Sequence, residues 1–244
     1  MPANADTTPR LQQHWLHNSG GLIWHLRALR YRTGLWQDFR RTTRDWLQAW
    51  QPPATRLLLV GPSAGHTLDE EFLQRWQAVT VLEPDPLARH LLRWRYPQVR
   101  WHFDDVDILA QPGTGLLAQH FGEHAVLFAN VLGQLAPREE GTAREWLRAL
   151  RGDLARQHWA SYHDVISTTR KPDHSVTGPV GGTDLDALIA HFWRGGELPI
   201  VDHGTLGLGQ PGAETASYCI WPLRPRHYHL VEWLVGSPAT ADTY

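Results

Sequence analysis

Five small residues, Gly61-Pro62-Ser63-Ala64-Gly65, follow a short apolar segment and form the first candidate ligand site in the sequence. The apolar segment, residues 56–60, is typical of a strand that is buried on both faces. A turn without bulky side chains lets the backbone approach a ligand at the carboxyl edge of a parallel sheet. The sequence therefore predicts a ligand-binding turn over residues 61–65.

Polar side chains stand where the next three predicted strands end. Glu83 follows the second strand about twenty residues after the turn, where a carboxylate accepts hydrogen bonds from ribose hydroxyls. Asp104 and Asp105 follow the third strand, where a carboxylate can accept from an adenine amino group, and Asn130 follows the fourth. These residues predict a nucleotide-like ligand across the carboxyl edge of the sheet.

The elements that must position these residues alternate along the chain between strands and helices. Helix starts are indicated by the capping box Thr67-x-x-Glu70 and by Asp85-Pro86. A further helix is predicted over residues 138–150, a polar loop that could act as a lid over residues 168–182, and a helix over residues 184–193. The predicted strands are residues 56–60, 79–82, 99–103, 125–128, 158–167, 218–223 and 228–235. This order predicts an α/β fold with a doubly wound, mostly parallel sheet and a terminal antiparallel hairpin.

In these motifs the chain resembles the class I S-adenosylmethionine-dependent methyltransferases, over residues 56–135. The resemblance implies a Rossmann-like, seven-stranded sheet, S-adenosylmethionine as cofactor and in-line methyl transfer to oxygen or nitrogen. Leu59 stands where the family usually has an acidic residue, and Ser63 replaces the middle glycine of the loop. The implied cofactor-binding residues are Gly61, Ser63 and Gly65 in the glycine loop, Glu83 at the ribose, Asp105 beside Asp104 at the adenine, and Asn130 near the methyl group.

The segment before the first strand is predicted to be a helical cap over residues 1–53, with the Rossmann-like domain over residues 54–244. Leu22, Leu26 and Leu29 repeat at helical spacing and predict a core-facing stripe. Trp24 and Tyr31 are predicted to line the substrate pocket. A methyl acceptor that carries a proton is helped by a base, and His163 is the first candidate base, with His25 the second.

Two alternatives compete with the methyltransferase interpretation. Gly61-Pro62-Ser63-Ala64-Gly65 also matches the G-x-S-x-G elbow of α/β-hydrolases, with Asp164 and His203 following in the order of that family's triad. No upstream strand or oxyanion loop accompanies the motif, and a hydrolase leaves Glu83 unexplained. The second alternative is a catalytically inactive, methyltransferase-like binding protein.

Composition narrows the functional class further. The 244 residues are 42% hydrophobic and have a formal net charge of −2, so no overall basic field favours a nucleic-acid partner. A small-molecule substrate is expected instead, and oligomeric state is not predicted. One cysteine excludes an intrachain disulfide, and the absence of a signal segment or long apolar run favours a cytoplasmic protein without a membrane span. The fifteen histidines are scattered without metal-ligand spacing, so no metal site is predicted.

Overall fold

One mixed sheet of eight strands runs through the computed structural model, which describes residues 8–12, 21–173, 184–208 and 216–238. Residues 1–7 and 13–20 of the predicted helical cap and residues 174–182 of the predicted lid lie outside this described part. The strands are β1 (Arg56–Val60), β2 (Ala78–Leu82), β3 (Trp101–Asp104), β4 (His124–Ala129), β5 (Trp159–Thr168), β6 (Ile200–Asp202), β7 (Ser217–Arg224) and β8 (His227–Gly236).

The strand order confirms the predicted fold class. The order is β3-β2-β1-β4-β5-β8-β7, and β6 pairs with β5 beside this path. Strands β1 to β5 pair in parallel, whereas β6, β7 and β8 add antiparallel pairs. This is the doubly wound Rossmann-like sheet with a terminal hairpin that the methyltransferase resemblance implies; the short β6 was not predicted. The order reverses between β1 and β4, and open sheets of this type bind ligands at the carboxyl ends of such strands.

Helices pack on both faces of the sheet. They are α1 (Gly21–Tyr31), α2 (Gln37–Ala49), α3 (Glu70–Gln74), α4 (Pro86–Arg95), α5 (Leu116–Phe121), α6 (Leu132–Leu135), α7 (Glu140–Leu154) and α8 (Leu185–Phe192). Within the described residues, no helix has the length and apolar character required to cross a membrane.

Aspartate side chains cap the N-termini of three of these helices, α3, α4 and α8. Asp85 accepts the N–H of Leu87 at 2.8 Å ahead of Pro86, as predicted. The predicted capping box at Thr67 is wrong, because α3 starts two residues later with Asp69 as its N-cap. The Thr67 hydroxyl lies instead 2.7 Å from the Tyr162 hydroxyl on β5, so it ties this loop to the sheet.

The two faces of β1 separate the core into two parts. Leu57 and Leu59 belong to a cluster that includes residues of α1, α2 and β7, whereas Leu58 and Val60 belong to a cluster that includes residues of α5 and α7. Thus α1 and α2 share one hydrophobic cluster with the sheet.

Tryptophan side chains join the N-terminal helices to this first cluster. Trp36 is fully buried, its ring centroid lies 5.1 Å from that of Trp221, and its indole N–H donates to the Leu223 carbonyl at 3.0 Å. Phe39 of α2 stacks on Trp221 with centroids 4.5 Å apart. Trp36 and Phe39 therefore face the core.

The leucine stripe predicted on α1 does not face the core. Leu22, Leu26 and Leu29 are each more than half exposed, whereas the small residues Gly21 and Ala28 are buried. Small residues let α1 approach its neighbours closely, and the larger side chains consequently project outward. The periodicity was helical, but the buried face was assigned wrongly.

We expect Trp36→Ala to lower the free energy of unfolding by roughly 3–5 kcal/mol, because it removes a buried indole and leaves a cavity between α2 and β7. Trp94→Ala, at a 74% exposed position, is the matched control and is expected to change it by less than about 0.5 kcal/mol. Denaturant unfolding followed by circular dichroism measures both. Equal effects would show that the N-terminal helices do not share the core.

Candidate functional site

A cavity of about 630 Å³ lies at the carboxyl ends of β1, β2 and β4, beside the reversal in strand order. Seven chain segments form its wall: residues 9–12, the start of α1, the turn after β1, residues 82–85 after β2, residues 106–110 after β3, residues between 129 and 135 after β4, and Trp221 of β7. Its volume falls within the usual range of small-molecule and cofactor sites, roughly 300–1,000 Å³.

The turn after β1 adopts a backbone that few side chains tolerate. Gly61, Ser63 and Gly65 have φ angles of +62°, +52° and +64°. A Cβ atom on Gly61 would lie 2.5 Å from Val131, and one on Gly65 would lie 2.9 Å from the Tyr96 ring. The structure thus places all three predicted loop residues in one tight turn and shows why two of them are glycine.

Glu83 fixes this turn to the end of β2. Its carboxylate lines the cavity and accepts the N–H of Ser63 at 2.7 Å and the N–H of Asp85 at 3.0 Å. Burial raises the pKa of Glu83 to about 7, although both N–H donors favour the charged form. Glu83 is 6% exposed and lines the cavity, so a ligand bound there would change the pKa of its carboxylate.

Four polar atoms of residues that line the cavity have no hydrogen-bond partner among the described residues. They are the Oγ of Ser63, the Oδ1 of Asn130 and the indole nitrogens of Trp24 and Trp221, and all four atoms are buried. Asn130 has a φ of +57° and is held by its own N–H, which donates to the Tyr162 carbonyl at 2.8 Å. Buried polar groups are nearly always paired, so a shift of the Ser63 or Asn130 side chain toward the cavity would offer its oxygen to a polar ligand.

The carboxylates after β3 are not arranged as predicted. Asp105 is half-exposed and pairs with Arg10 at 2.6 Å, and Asp104 accepts the N–H groups of Asp105 and Val106. Neither residue is among those that line the cavity. Asp107, which sequence reasoning missed, does line it. Its Oδ1 accepts two N–H groups of the following turn, so the acidic residue at the cavity was placed two positions too early.

The residues around Asp105 also hold the N-terminal arm, residues 8–12. Leu11 donates its N–H to the Asp105 carbonyl at 2.6 Å, and the N–H of Asp107 donates to the Pro9 carbonyl at 2.9 Å. Arg10 pairs with Val106 as an isolated antiparallel bridge. The arm therefore closes one side of the cavity.

His163, the first candidate base, lies away from the cavity. It is fully buried in β5, where its Nε2 is 3.1 Å from Glu232 and its Nδ1 is 2.9 Å from the Ser161 hydroxyl. Tyr218 donates to the same glutamate. These contacts give His163 a structural role between β5 and β8, and they overturn its prediction as a base.

His25, the second candidate base, does not line the cavity but contacts a residue that does. Its Nδ1 lies 3.1 Å from Nε2 of His66, which lines the cavity and accepts a hydrogen bond from Arg95 on its Nδ1 at 2.9 Å. The neutral His66 must therefore carry its proton on Nε2 and donate to His25. The Nε2 of His25 then faces Asp85, 3.4 Å away.

These histidines are held in the neutral form. Burial, with the charge of Arg95, lowers the pKa of His66 to about 3, and burial also lowers the pKa of His25. Both ring nitrogens of His66 also have hydrogen-bond partners, Arg95 and His25. The pair links α1 to the turn region, and neither ring is suited to accept a proton from a ligand. Of the other predicted pocket residues on α1, Trp24 lines the cavity and Tyr31 does not.

The hydrolase arrangement does not form. Ser63 has no hydrogen-bond partner for its hydroxyl in the described part of the chain, so no histidine activates it. Asp164 and His203 do approach each other, but neither lines the cavity that contains Ser63. Without a base, Ser63 cannot act as the nucleophile.

Comparison with known proteins gives matches among solved structures alone: no protein-family model and no curated protein matches this chain. One match is an amino pentose methyltransferase from Micromonospora echinaspora with S-adenosylmethionine bound, 24% identical, covering 61% of this chain and 58% of that chain, with a TM-score of 0.36. A putative zinc-dependent alcohol dehydrogenase from Rhodobacter sphaeroides is 20% identical, covering 51% and 46%, with a TM-score of 0.36. This chain thus spans less than two thirds of either protein.

A third match covers more of both chains. The magnesium protoporphyrin IX methyltransferase of Synechocystis PCC 6803, with S-adenosylhomocysteine bound, is 13% identical and covers 89% of this chain and 90% of that chain, with a TM-score of 0.45. Because all three TM-scores are below 0.5, the fold assignment rests on the strand order and not on these likenesses.

We expect Gly61→Ala to destabilise the protein more than Gly115→Ala. Both glycines have a positive φ, so both changes cost roughly 1–2 kcal/mol of backbone strain. Only at Gly61 does the new methyl group meet another side chain, Val131, and this overpacking costs roughly 1–3 kcal/mol more. Thermal unfolding compares the two variants. Equal losses of stability would contradict the close approach of the turn to Val131.

Proposed function

We propose that this protein is an S-adenosylmethionine-dependent methyltransferase that transfers a methyl group in line to an oxygen or nitrogen of a small molecule. The observation that carries the proposal is the arrangement at one cavity of the buried Glu83 carboxylate, the Ser63 hydroxyl and the Asn130 amide. Each of these groups comes from the end of a different strand, at the reversal of strand order.

The cavity wall suits the chemistry of the cofactor. A ribose offers two hydroxyl donors, and Glu83 offers carboxylate lone pairs beyond the two N–H groups it already accepts. Val106 and Ile108 provide apolar surface for an adenine ring, and Asp107 provides a carboxylate for its amino group. The proposed cofactor residues are therefore Gly61, Ser63, Glu83, Asp107 and Asn130, whereas Gly65 shapes the turn without lining the cavity.

The other side of the cavity suits an organic acceptor. Trp24 of α1 and Trp221 of β7 line it, and their ring centroids lie 6.0 Å apart in an edge-to-face contact. Broad aromatic walls are typical of sites for small organic ligands. In this proposal α1 caps the site, and residues 1–53 act with the Rossmann-like domain.

Catalysis in this site rests on positioning. When bound, the cofactor supplies an electrophilic methyl group, and the chain holds the acceptor in line with it. Neither His163 nor His25 lines the cavity, so the proposal assigns no protein base. An amine acceptor in its neutral form requires none, because its lone pair is already free.

Titration calorimetry with S-adenosylhomocysteine tests cofactor binding. The wild-type protein is expected to bind, and Glu83→Ala is expected to weaken binding by roughly 1–3 kcal/mol, since ribose hydroxyls lose their acceptor. Glu145→Ala, at an exposed position, is the control and should bind as the wild type does. No heat from the wild-type protein at millimolar ligand would refute the proposal.

Turnover separates the enzyme from an inactive binding protein. Incubation with S-adenosylmethionine and a panel of small amines and phenols, with detection of S-adenosylhomocysteine, is expected to show acceptor-dependent product. Cofactor binding without turnover on any acceptor would instead support the inactive, methyltransferase-like alternative.

Cofactor affinity should rise with pH between 6 and 8. The ionised Glu83 is the better acceptor for hydroxyl groups, and with a pKa of about 7 its ionised fraction rises from about 0.1 to about 0.9 over this interval. Binding should therefore release a proton and strengthen about tenfold. Calorimetry at three pH values measures the change, and Glu83→Gln should remove it. A slope that persists in the variant would assign the pH dependence to another group.

A further inference from the structure

Three side chains that can act as metal ligands converge outside the cavity: Asp164 in β5, His203 just after β6 and His229 in β8. One ligand atom from each lies within 4.8 Å of the other two. We propose that these residues form a binding site for a divalent transition-metal ion of the zinc type. This inference is independent of the proposed function.

The buried atoms of the cluster lack ordinary partners. Oδ1 of Asp164 and both ring nitrogens of His229 are buried and have no hydrogen-bond partner among the described residues. Unpaired buried polar atoms are costly, and an unplaced ion is one of their standard explanations. An imidazole offers only one nitrogen to an ion, so Oδ1 of Asp164 and one ring nitrogen of His229 are the buried atoms that a shared ion would satisfy.

The separation of Asp164 and His229 also suits a shared ion. Oδ2 of Asp164 lies 2.8 Å from Nδ1 of His229. Ligands at neighbouring positions of one ion, with bonds of about 2.1 Å, are themselves roughly 3 Å apart. His203 lies at a wider spacing, and its Nε2 is 3.3 Å from the Ser167 hydroxyl, so this side chain must exchange that contact for the ion.

The surrounding backbone holds the three residues in place. The ladder between β5 and β8 is irregular between Asp164 and Ile166, and such bulges redirect a side chain. The N–H of His203 donates to the Val165 carbonyl at 2.9 Å, and the Thr205 hydroxyl donates to the Asp164 carbonyl at 2.6 Å. The site is thus assembled by segments that are already tied together.

Gly133 of α6 packs directly against this cluster. A Cβ atom there would lie 2.7 Å from the Asp164 carbonyl oxygen and 3.3 Å from Cβ of His203. The next two residues, Gln134 and Leu135, line the large cavity. One short helix therefore separates the two sites.

The donor set selects the class of ion. Two imidazoles and one carboxylate favour zinc, iron(II) or cobalt(II), whereas magnesium and calcium prefer all-oxygen sites. Three protein ligands leave at least one coordination position open to water or to another ligand. His203, the least buried of the three, lies on the solvent side of the cluster.

The test is a titration of the EDTA-treated, full-length protein with zinc, followed by calorimetry and by thermal unfolding. We expect one strong site per chain and a higher melting temperature at one equivalent. Asp164→Asn and His229→Gln should each weaken that site roughly tenfold or more and abolish the thermal shift. His102→Gln, which removes an exposed histidine of β3, is the matched control and should leave both unchanged.

A further ligand variant tests whether weaker zinc binding results from loss of the fold. His203→Gln changes a half-buried side chain, and its circular dichroism spectrum should match that of the wild type while zinc affinity falls. Cobalt(II) provides an independent readout, because the wild type should develop visible d–d absorption that the three ligand variants lack. Absence of a strong zinc site in the wild type, or equal affinity in the folded ligand variants, would overturn the proposal.

Discussion

The buried carboxylate of Glu83 is the interaction on which the cavity depends. It accepts the Ser63 N–H from the turn after β1 and the Asp85 N–H from the start of α4, so one side chain joins two strand ends. A carboxylate removed from water is costly unless such donors compensate it. The two N–H groups compensate in part, and the remaining cost is visible in the raised pKa of about 7. Near neutral pH, Glu83 is therefore in balance between its two protonation states.

The N-terminal helices extend this arrangement to the other wall. Gly21 donates its N–H to Asp85, which also caps α4, so α1 is linked to the same loop that Glu83 organises. Trp24 then reaches the cavity while Trp36 and Phe39 bury their rings against Trp221 of β7. The aromatic core and the ligand site are parts of one packing unit, which explains why Trp221 belongs to both.

The order of strands and helices could be predicted from the sequence. The predictions failed where a local pattern does not show which face of a helix or strand is buried. Strand β1 was predicted over its full length, because a short apolar run buried on both faces has few alternatives. The stripe of Leu22 and Leu26 was assigned to the core because periodicity identifies a helix but not which of its faces is buried. His163 was predicted as a base, yet it is the fifth of the ten residues of β5 and is buried against Glu232 of β8.

Residues brought together from distant positions were beyond sequence reasoning. Asp107 was missed because β3 ends near Asp104 and the turn after it has no distinctive spacing. The cluster of Asp164, His203 and His229 spans 65 residues with irregular intervals, so no metal-ligand pattern appears in the sequence. By contrast, Gly61, Ser63, Glu83 and Asn130 could be predicted to lie at the cavity because each follows a recognisable strand.

The N-terminal arm, residues 8–12, forms its contacts with residues that are synthesised much later. Residues 9–12 are synthesised before their partners at Asp105 and Val106, which follow about ninety-five residues later. The arm therefore cannot dock on these partners until β3 has been made. Contacts of such long sequence separation are characteristic of slow steps in folding.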